Sequence, residues 1–577
     1  MSSDIPLNSL AGCKWWDIKV SESPMWSGDS VSVEAAMDLY EETLSAFEAL
    51  MKSDSEQKWL RKVAVSGTHS DQVSALVTLS QMCPVLAMPH IRQLLNLAQT
   101  KANRIIQPAL TALKKLLIDD LLPFDRKLKF FADQKIPGSS VRKTTVLLWY
   151  FEDFLKKTMA TFVQLIFDAQ SSPIESIRSS CVDYAFDILA VYKGAGVHGE
   201  QEKPLMKLLI KAMSDKVEKR VSARAALLAR KLAVKRPHLK EAIIDEVKEQ
   251  HLISGLKAND EYNCYSRGVN MACSFFTTLP LSPQDDAFVA GKLVKMLSDF
   301  VNDIIKKKQE RDRKRKLQNN CGLSEADGKV LRLCLKSLET AMAAAGTDCP
   351  IPETTNSLLV RLSHETAIPG LSVAILNFLN RISKELKVDS PKLIRAIYGQ
   401  TGSLQVYLGS SQLAWLLSLI NDAVLGDSFS KETTKNAFRR RLIQMASCVS
   451  EPSVLPVVMA LTEPKQLQVD LIKNTEEDMI STDQKHGYNP SFFDPTCANP
   501  EAEITLWERN LLMHHFESTV RTAADSMPVQ VPDEAKSLTQ LLVDVSSMEM
   551  EGEKKRKKQK IDIEEVDIDH LDPTLVA

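Results

Sequence analysis

From about Ser66 onward, apolar side chains recur at three- and four-residue intervals, the spacing that lines one face of an α-helix. After Ser70-Asp71, the run QVSALVTLSQM puts Val73, Leu76, Val77 and Leu79 or Ser80 on such a face. Ser172-Pro173 followed by Glu175, and Ser282-Pro283-Gln284-Asp285, read as helix starts: an oxygen acceptor for free N–H groups, then a proline whose missing donor is no loss in the first turn. Prolines at 84, 89, 108, 123, 137, 173, 204, 237, 280 and 283 punctuate the chain into segments of roughly 12–25 residues, ordinary helix lengths. No Asn-Gly or Asp-Gly pair flanks an alternating apolar pattern, so strand hairpins are not expected.

The clearest pairs of such segments are 144–170 with 173–192, 203–214 with 217–234, and 239–254 with 262–278. Hairpins of roughly 40 residues cannot each bury an apolar face, and stacking them solves the problem. The expected fold is therefore all-α, a degenerate HEAT/armadillo-like helical-hairpin solenoid, with a globular helix bundle as the alternative. The expected organisation is an N-terminal acidic segment (1–56), a first helical array (57–305), a basic linker or helix extension (306–323), a second helical domain (324–527) and a charged, mostly disordered tail (528–577). Within the second domain, 482–500 is rich in turn residues and reads as an ordered loop. One further helix is expected over 534–549.

Composition sharpens this picture in one respect. The formal net charge is only −2, but its distribution is blockwise. Thirteen Lys or Arg stand against six Asp or Glu in 203–250; KKKQERDRKRK (306–316) and KKRKKQK (554–560) are basic again, while 561–577 holds six carboxylates and no Lys or Arg. Ten cysteines are scattered without a CxxC pair, several on apolar faces (Cys181, Cys273, Cys448), and read as reduced and intracellular. No apolar run is long enough to cross a bilayer, and no signal peptide is expected.

Candidate chemistry is electrostatic rather than catalytic. In LLPFDRKLKFFADQ (121–134), Arg126, Lys127 and Lys129 are candidate contacts for a partner or RNA phosphates; the alternative is a loop docked by Leu128, Phe130 and Phe131 with its cations solvated. Lys216, Lys219, Arg220 and Arg224, with Arg230 and Lys231, are candidates for an RNA ridge, or for a solvated face partly paired with Glu218 and Glu241. Aromatics are nearly absent there, so any RNA is expected to be held by backbone and shape. Arg439, Arg440 and Arg441, on an amphipathic helix, are candidates for a partner or RNA contact, or simply cations carried on its outer face. Lys554, Lys555, Arg556, Lys557 and Lys558 read as a nuclear-import signal. Adjacent His514 and His515 diverge by about 100° on a helix and have no ligand partner at i+4, so no metal or other cofactor is expected. There is no phosphate loop, dinucleotide fingerprint, nucleophile elbow or HExxH, and no enzyme is expected.

Several segments carry a family resemblance. LLPFDRKLKFFADQ and LLWYFEDFLKK (147–157), WLRKVAVSGTHSDQVSALVTLSQMCP (59–84), residues 176–189, SDKVEKRVSARAALLARKL within 205–232, NAFRRRLIQMASCVSEPSVLPVVMAL (436–461) and the YNP turn with its LWE helix in 488–526 occur in order. Together they resemble the CCAAT-binding-factor family of ribosome-assembly proteins, of the nucleolar complex protein 1 / CCAAT/enhancer-binding protein zeta type. An acidic insertion ahead of the YNP turn is shortened here to Glu476-Glu477-Asp478, and the sequence after 527 departs from the family's pattern. The resemblance implies a non-enzymatic nucleolar scaffold of large-subunit (pre-60S) assembly, binding precursor rRNA and a nucleolar complex protein 2-like helical-repeat protein. It implies no membrane and no small-molecule substrate. A nuclear transcription cofactor and a karyopherin-like transport adaptor are the other readings. No recognition helix supports the first, and the basic block counts against the second.

Overall fold

The computed structural model describes residues 10, 14–18, 20, 23–26, 31–51, 55–100, 102–134, 141–192, 196–215, 217–253, 267–283, 286–314, 323, 325–346, 351–365, 368–386, 391–402, 411–425, 431–447, 494–496, 514 and 521. Helix is their dominant structure; beyond the helices and the loops that join them the backbone makes one isolated bridge among these residues, between Met25 and Arg142. The chain divides into two compact units, Met1–Leu293 and Val294–Ala577.

In the first unit the helices are α1 (Val33–Met51), α2 (Ser55–Ser66), α3 (His69–Met82), α4 (Met88–Gln99), α5 (Asn103–Leu116), α6 (Lys143–Ala169), α7 (Glu175–Val191), α8 (Glu202–Lys211), α9 (Lys219–Lys235), α10 (Lys240–Val247) and α11 (Arg267–Thr278). Their packing forms two rows. Helix α3 touches α5, α5 touches α7, α7 touches α9 and α9 touches α11; in the other row α4 touches α6, α6 touches α8 and α8 touches α10. From α3 to α9 each helix thus packs on the next in sequence and on the next but one, which is a stack of helical hairpins. The hairpins expected at 144–170 with 173–192 and 203–214 with 217–234 are present within a few residues of their expected ends. In the third, α10 is continued by a π-helical turn over Lys248–Ile253, α11 runs over Arg267–Thr278, and 254–266 lie outside the described residues.

Buried apolar side chains explain the register. Helix α6 places Phe151, Leu155, Phe162 and Ile166 out of solvent, and α9 buries Val221, Ala225, Ala229, Leu232 and Ala233. Rungs tie α5 to α7 at a constant offset: Gln107 to Ser180, the Thr111 and Tyr184 hydroxyls to each other, and Lys114 to Asp187 at 2.7 Å. Residues 33–51, read from sequence only as acidic, form α1. Ser32 caps it by accepting the Ala35 N–H, and Ala36, Leu39, Tyr40 and Thr43 are buried against the array.

Helix starts differ from expectation by about one turn. Thr68, two residues ahead of Ser70, caps α3: its hydroxyl oxygen accepts the Asp71 N–H and its O–H donates to the Asp71 carboxylate. Helix α7 begins at Glu175 without a side-chain cap, and the Ser172 hydroxyl instead accepts the Ile174 N–H. Asp286 prepares α12 (Ala287–Lys314) by accepting the Ser282 N–H. Residues 306–314 continue α12.

The second unit repeats the arrangement. Helices α13 (Glu325–Ala345), α14 (Glu353–Glu365), α15 (Pro369–Leu386), α16 (Pro391–Thr401), α17 (Ser411–Ile420) and α18 (Glu432–Ser447) again pack in two rows, α13–α15–α17 and α14–α16–α18. The expected tail over 528–577 and the helix over 534–549 lie outside the described residues.

Candidate nucleic-acid and partner surfaces

The loop at 121–134 is held by the two acids of α6. Glu152 is buried, and its carboxylate accepts from the Arg126 guanidinium, from the Lys129 N–H at 3.0 Å and from the Gln134 side-chain amide at 3.0 Å. Asp153 accepts the Phe131 N–H, and Glu200 accepts the Leu128 N–H at 3.2 Å. Lys156 donates back to the Leu128 carbonyl and pairs with Glu200 at 3.5 Å. Buried carboxylates therefore satisfy backbone donors of an irregular loop, which would otherwise be left without partners. Trp15 buttresses the same place: its indole N–H donates to the Leu121 carbonyl, its ring meets Phe151 edge-on, and the Arg126 guanidinium lies 5.7 Å from its centre. Of the three loop cations, Arg126 is engaged in this lock, whereas Lys127 and Lys129 are exposed. Leu128 is buried, while Phe130 is exposed beneath the Lys156 ammonium.

The basic ridge is organised by Asp215. One carboxylate oxygen accepts the Val217 and Glu218 N–H groups, the other accepts the Arg178 Nε–H at 2.7 Å, and the Asp215 carbonyl accepts from Arg267. Burial pushes the Asp215 carboxyl up, but the hydrogen bonds from Glu218, Arg178 and Val217 outweigh it and hold the group below the usual carboxylate range. The turn into α9 is fixed in this way. Arg224 is committed to Asp183 through two hydrogen bonds at 2.7 and 3.0 Å, which raise its already high pKa. Of the two acids considered from sequence as partners of the ridge, Glu241 pairs with Lys292 at 2.8 Å. Lys219, Arg220 and Lys231 are exposed and have no carboxylate of the described residues within ion-pair distance. Lys216 lies outside the described residues.

A second cationic row escaped notice in the sequence because it was counted only as part of the block. Lys203, Lys207 and Lys211 lie four residues apart on α8, all exposed, over a buried face of Leu205, Met206, Leu208, Leu209 and Ile210. Their four-residue spacing was the available signal. The loop carrying Lys127 and Lys129 is tied to Glu200, just ahead of α8. Helix α8 belongs to the α4–α6–α8–α10 row and α9 to the other, so the α8 stripe and the α9 ridge stand on different layers.

Arg439, Arg440 and Arg441 require a correction. They are only 6%, 3% and 6% exposed, which removes them from the outer face expected for them. Helix α18 packs on α16, where the Phe438 and Tyr398 rings meet 5.0 Å apart and the Arg441 guanidinium lies 4.3 Å from the Tyr398 ring centre. The Arg441 guanidinium also approaches Gly402 closely, lying 2.6 Å from where a Cβ on that glycine would be. Arg439 donates to the Asn436 side-chain oxygen at 2.9 Å. The planar guanidinium suits such stacked, buried roles. Nearby, Asp494 of the turn-rich segment pairs with Arg395 of α16 at 2.7 Å and accepts from the Thr496 N–H and hydroxyl. Burial pushes the Asp494 carboxyl up, but Thr496 and Arg395 together hold it below its usual value.

Among the described residues no three His, Cys, Asp or Glu side chains are grouped to hold a metal, and no helix is long and apolar enough to cross a membrane. A groove of about 370 Å³ between α2, α3 and α4 is lined by Ala64, Val65, Gln72, Leu76, Gln93, Asn96, Leu97 and Thr100, none of them an acid, base or nucleophile suited to catalysis. Cys181 and Cys273 are buried, and burial raises the Cys181 thiol to about 12. Cys448, His515 and Lys554–Lys558 lie outside the described residues; His514 is exposed.

Comparison with known proteins follows the same division of the chain. Residues 372–524, which include α16, α17, α18, Arg395 and Asp494, match the model of the CBF/Mak21 family. Over 89% of its length the chain is 23% identical to an uncharacterized protein of Schizosaccharomyces pombe, covering 67% of that protein. Over 82% it is 23% identical to human CCAAT/enhancer-binding protein zeta, covering 43% of it. Over 84% it is 25% identical to Ribosome biogenesis protein NOC1 of Chaetomium thermophilum, covering 51%. The chain thus spans about half or less of the length of these last two relatives.

Proposed function

With a CBF/Mak21 domain at 372–524 as premise, we propose that the chain is a non-enzymatic scaffold in assembly of the large ribosomal subunit. It acts in the nucleus and nucleolus, on precursor rRNA and pre-60S particles, beside a partner helical-repeat protein of the nucleolar complex protein 2 kind. The similarity to a protein named for ribosome biogenesis supports the process. The observation that carries the mechanism is the row of exposed cations Lys203, Lys207 and Lys211 on α8, with no carboxylate of the described residues in ion-pair reach, and Lys127 and Lys129 on the loop tied down just ahead of it. Cations spaced along a helix neutralise successive phosphates and release counterions, and they read no bases. Helices α8 and α9 carry no aromatic residue, so stacking contributes nothing there. The basic run Lys554–Lys558 serves as the import signal.

The test is a salt titration of RNA binding to the full chain. The triple variant Lys203→Glu/Lys207→Glu/Lys211→Glu is expected to bind structured RNA at least tenfold more weakly and to lower the slope of log K against log salt by about 2–3, given about 0.7–0.9 per phosphate contact. An unchanged slope refutes the α8 surface.

A further inference from the structure

The outward face of α9 has a composition that RNA binding does not explain. Arg220, Arg224, Leu227, Lys231 and Val234 follow one another at spacings of four, three, four and three. On a helix that spacing keeps residues on a single narrow stripe, the seam that one helix offers another in a coiled coil. Its two aliphatic members, Leu227 and Val234, are 42% and 57% exposed. Helix α9 buries its opposite side, Val221, Ala225, Leu228, Ala229 and Leu232, against α7 and α11, so the stripe is a second apolar line left over after the array has packed.

Charge argues for the occupant. Arg224 is already neutralised by Asp183, which leaves Arg220 and Lys231 as the cations of the stripe without a carboxylate of the described residues in reach. Two exposed cations separated by an exposed leucine match a ligand with apolar residues at its own seam and carboxylates beside them. A phosphate backbone would cover Leu227 and Val234 with charge and leave their burial unrewarded. We propose that this face of α9 docks an acidic amphipathic helix of a partner protein, by apolar seam contacts flanked by charge pairs at Arg220 and Lys231. The proposal rests on the scaffold reading in assigning the partner to protein, and it gives the two layers separate tasks, RNA on α8 and a helix on α9.

The probe is a synthetic helix of about three heptads with Leu at a and d and Glu at e and g, compared with the same peptide carrying Lys for Glu and with a structured RNA. Binding to the full chain is read by fluorescence anisotropy. The acidic peptide is expected to bind saturably and the basic one not. Leu227→Ser/Val234→Ser and, separately, Arg220→Glu/Lys231→Glu are each expected to weaken the acidic peptide at least tenfold. The serine pair is expected to leave RNA binding within twofold. These side chains are exposed, so melting temperatures should stay at the parent value. Absence of saturable peptide binding, or a serine pair that spares the peptide, overturns the proposal, as does a serine pair that instead abolishes RNA binding. Loss of RNA binding in the α8 variant alone tests the scaffold reading and leaves the seam unaffected.

Discussion

Replacing Glu152 by alanine should release the loop at 121–134 without unfolding the array. The carboxylate is buried and accepts three hydrogen bonds, from Arg126, the Lys129 N–H and the Gln134 amide. Each such bond contributes about 0.5–1.5 kcal/mol net, with the charged one at the upper end. The Arg126 side chain is 37% exposed, so water rescues part of its loss and the pair counts near a surface value rather than a fully buried one. The Lys129 backbone lies on the outside of the loop and is also partly rehydrated. The sum is about 2–3 kcal/mol, confined to the loop and its contacts with Trp15 and Phe151. Because the loss is local, hydrogen exchange followed by mass spectrometry is the proper assay. The amides of Leu128–Phe131 should exchange about 30- to 150-fold faster in Glu152→Ala, at about 1.4 kcal/mol per tenfold. Glu152→Gln retains an acceptor and should lose roughly half as much. Protection at Lys129 and Phe131 unchanged in the alanine variant would refute the lock.

Other outcomes follow from the same geometry. A Cβ at Gly268 would sit 2.8 Å from the His251 ring and 3.1 Å from the Ser214 Cβ, so Gly268→Ala should destabilise the first unit by about 1–3 kcal/mol in urea unfolding; a neutral result would mean that α11 has room to move. Stability should fall in acid. Burial pushes the Asp215, Asp286 and Glu202 carboxyls up, but Arg178, Lys240 and Arg236 with backbone N–H groups pull all three below their unfolded values of about 3.9–4.3. Their contribution is therefore full above about pH 5 and drains away as pH falls through the unfolded and then the folded values. Asp286→Asn should flatten the decline in melting temperature below about pH 4, and an equally steep decline would contradict this. Arg441→Ala should lower the melting temperature of the second unit by removing the group stacked on Tyr398, whereas loss of RNA binding at unchanged stability would return that residue to the surface.

Much of the fold was legible because helix periodicity and proline spacing are local properties. The hairpins of 144–278 follow from them directly, since each apolar face required a partner and the next hairpin supplied it. Helix starts were legible only to within a turn, because Ser172 has the right chemistry but its hydroxyl accepts the Ile174 N–H ahead of α7, and Thr68 takes the cap of α3. The acids of LLWYFEDFLKK were visible as residues but not as ligands. Their partners are backbone N–H groups of a loop more than twenty residues away, and backbone donors leave no mark in a sequence. Three consecutive arginines pointed outward by every compositional prior, since charged side chains are seldom buried without partners. Packing of α18 on α16 overrode that prior. The α8 lysines were missed for the opposite reason, that a charge count over 203–250 hid a regular four-residue row.

The central claim is that a chemically inert helical array holds precursor rRNA along its α8 layer. Ultraviolet crosslinking in cells, with sequencing of the bound RNA and mass spectrometry of the crosslinked peptides, tests it most directly. Large-subunit precursor rRNA, crosslinked at peptides spanning 127–129 and 203–211, is the expected result. Recovery of messenger RNA or promoter DNA alone, or crosslinks that avoid the α8 layer, would contradict the account.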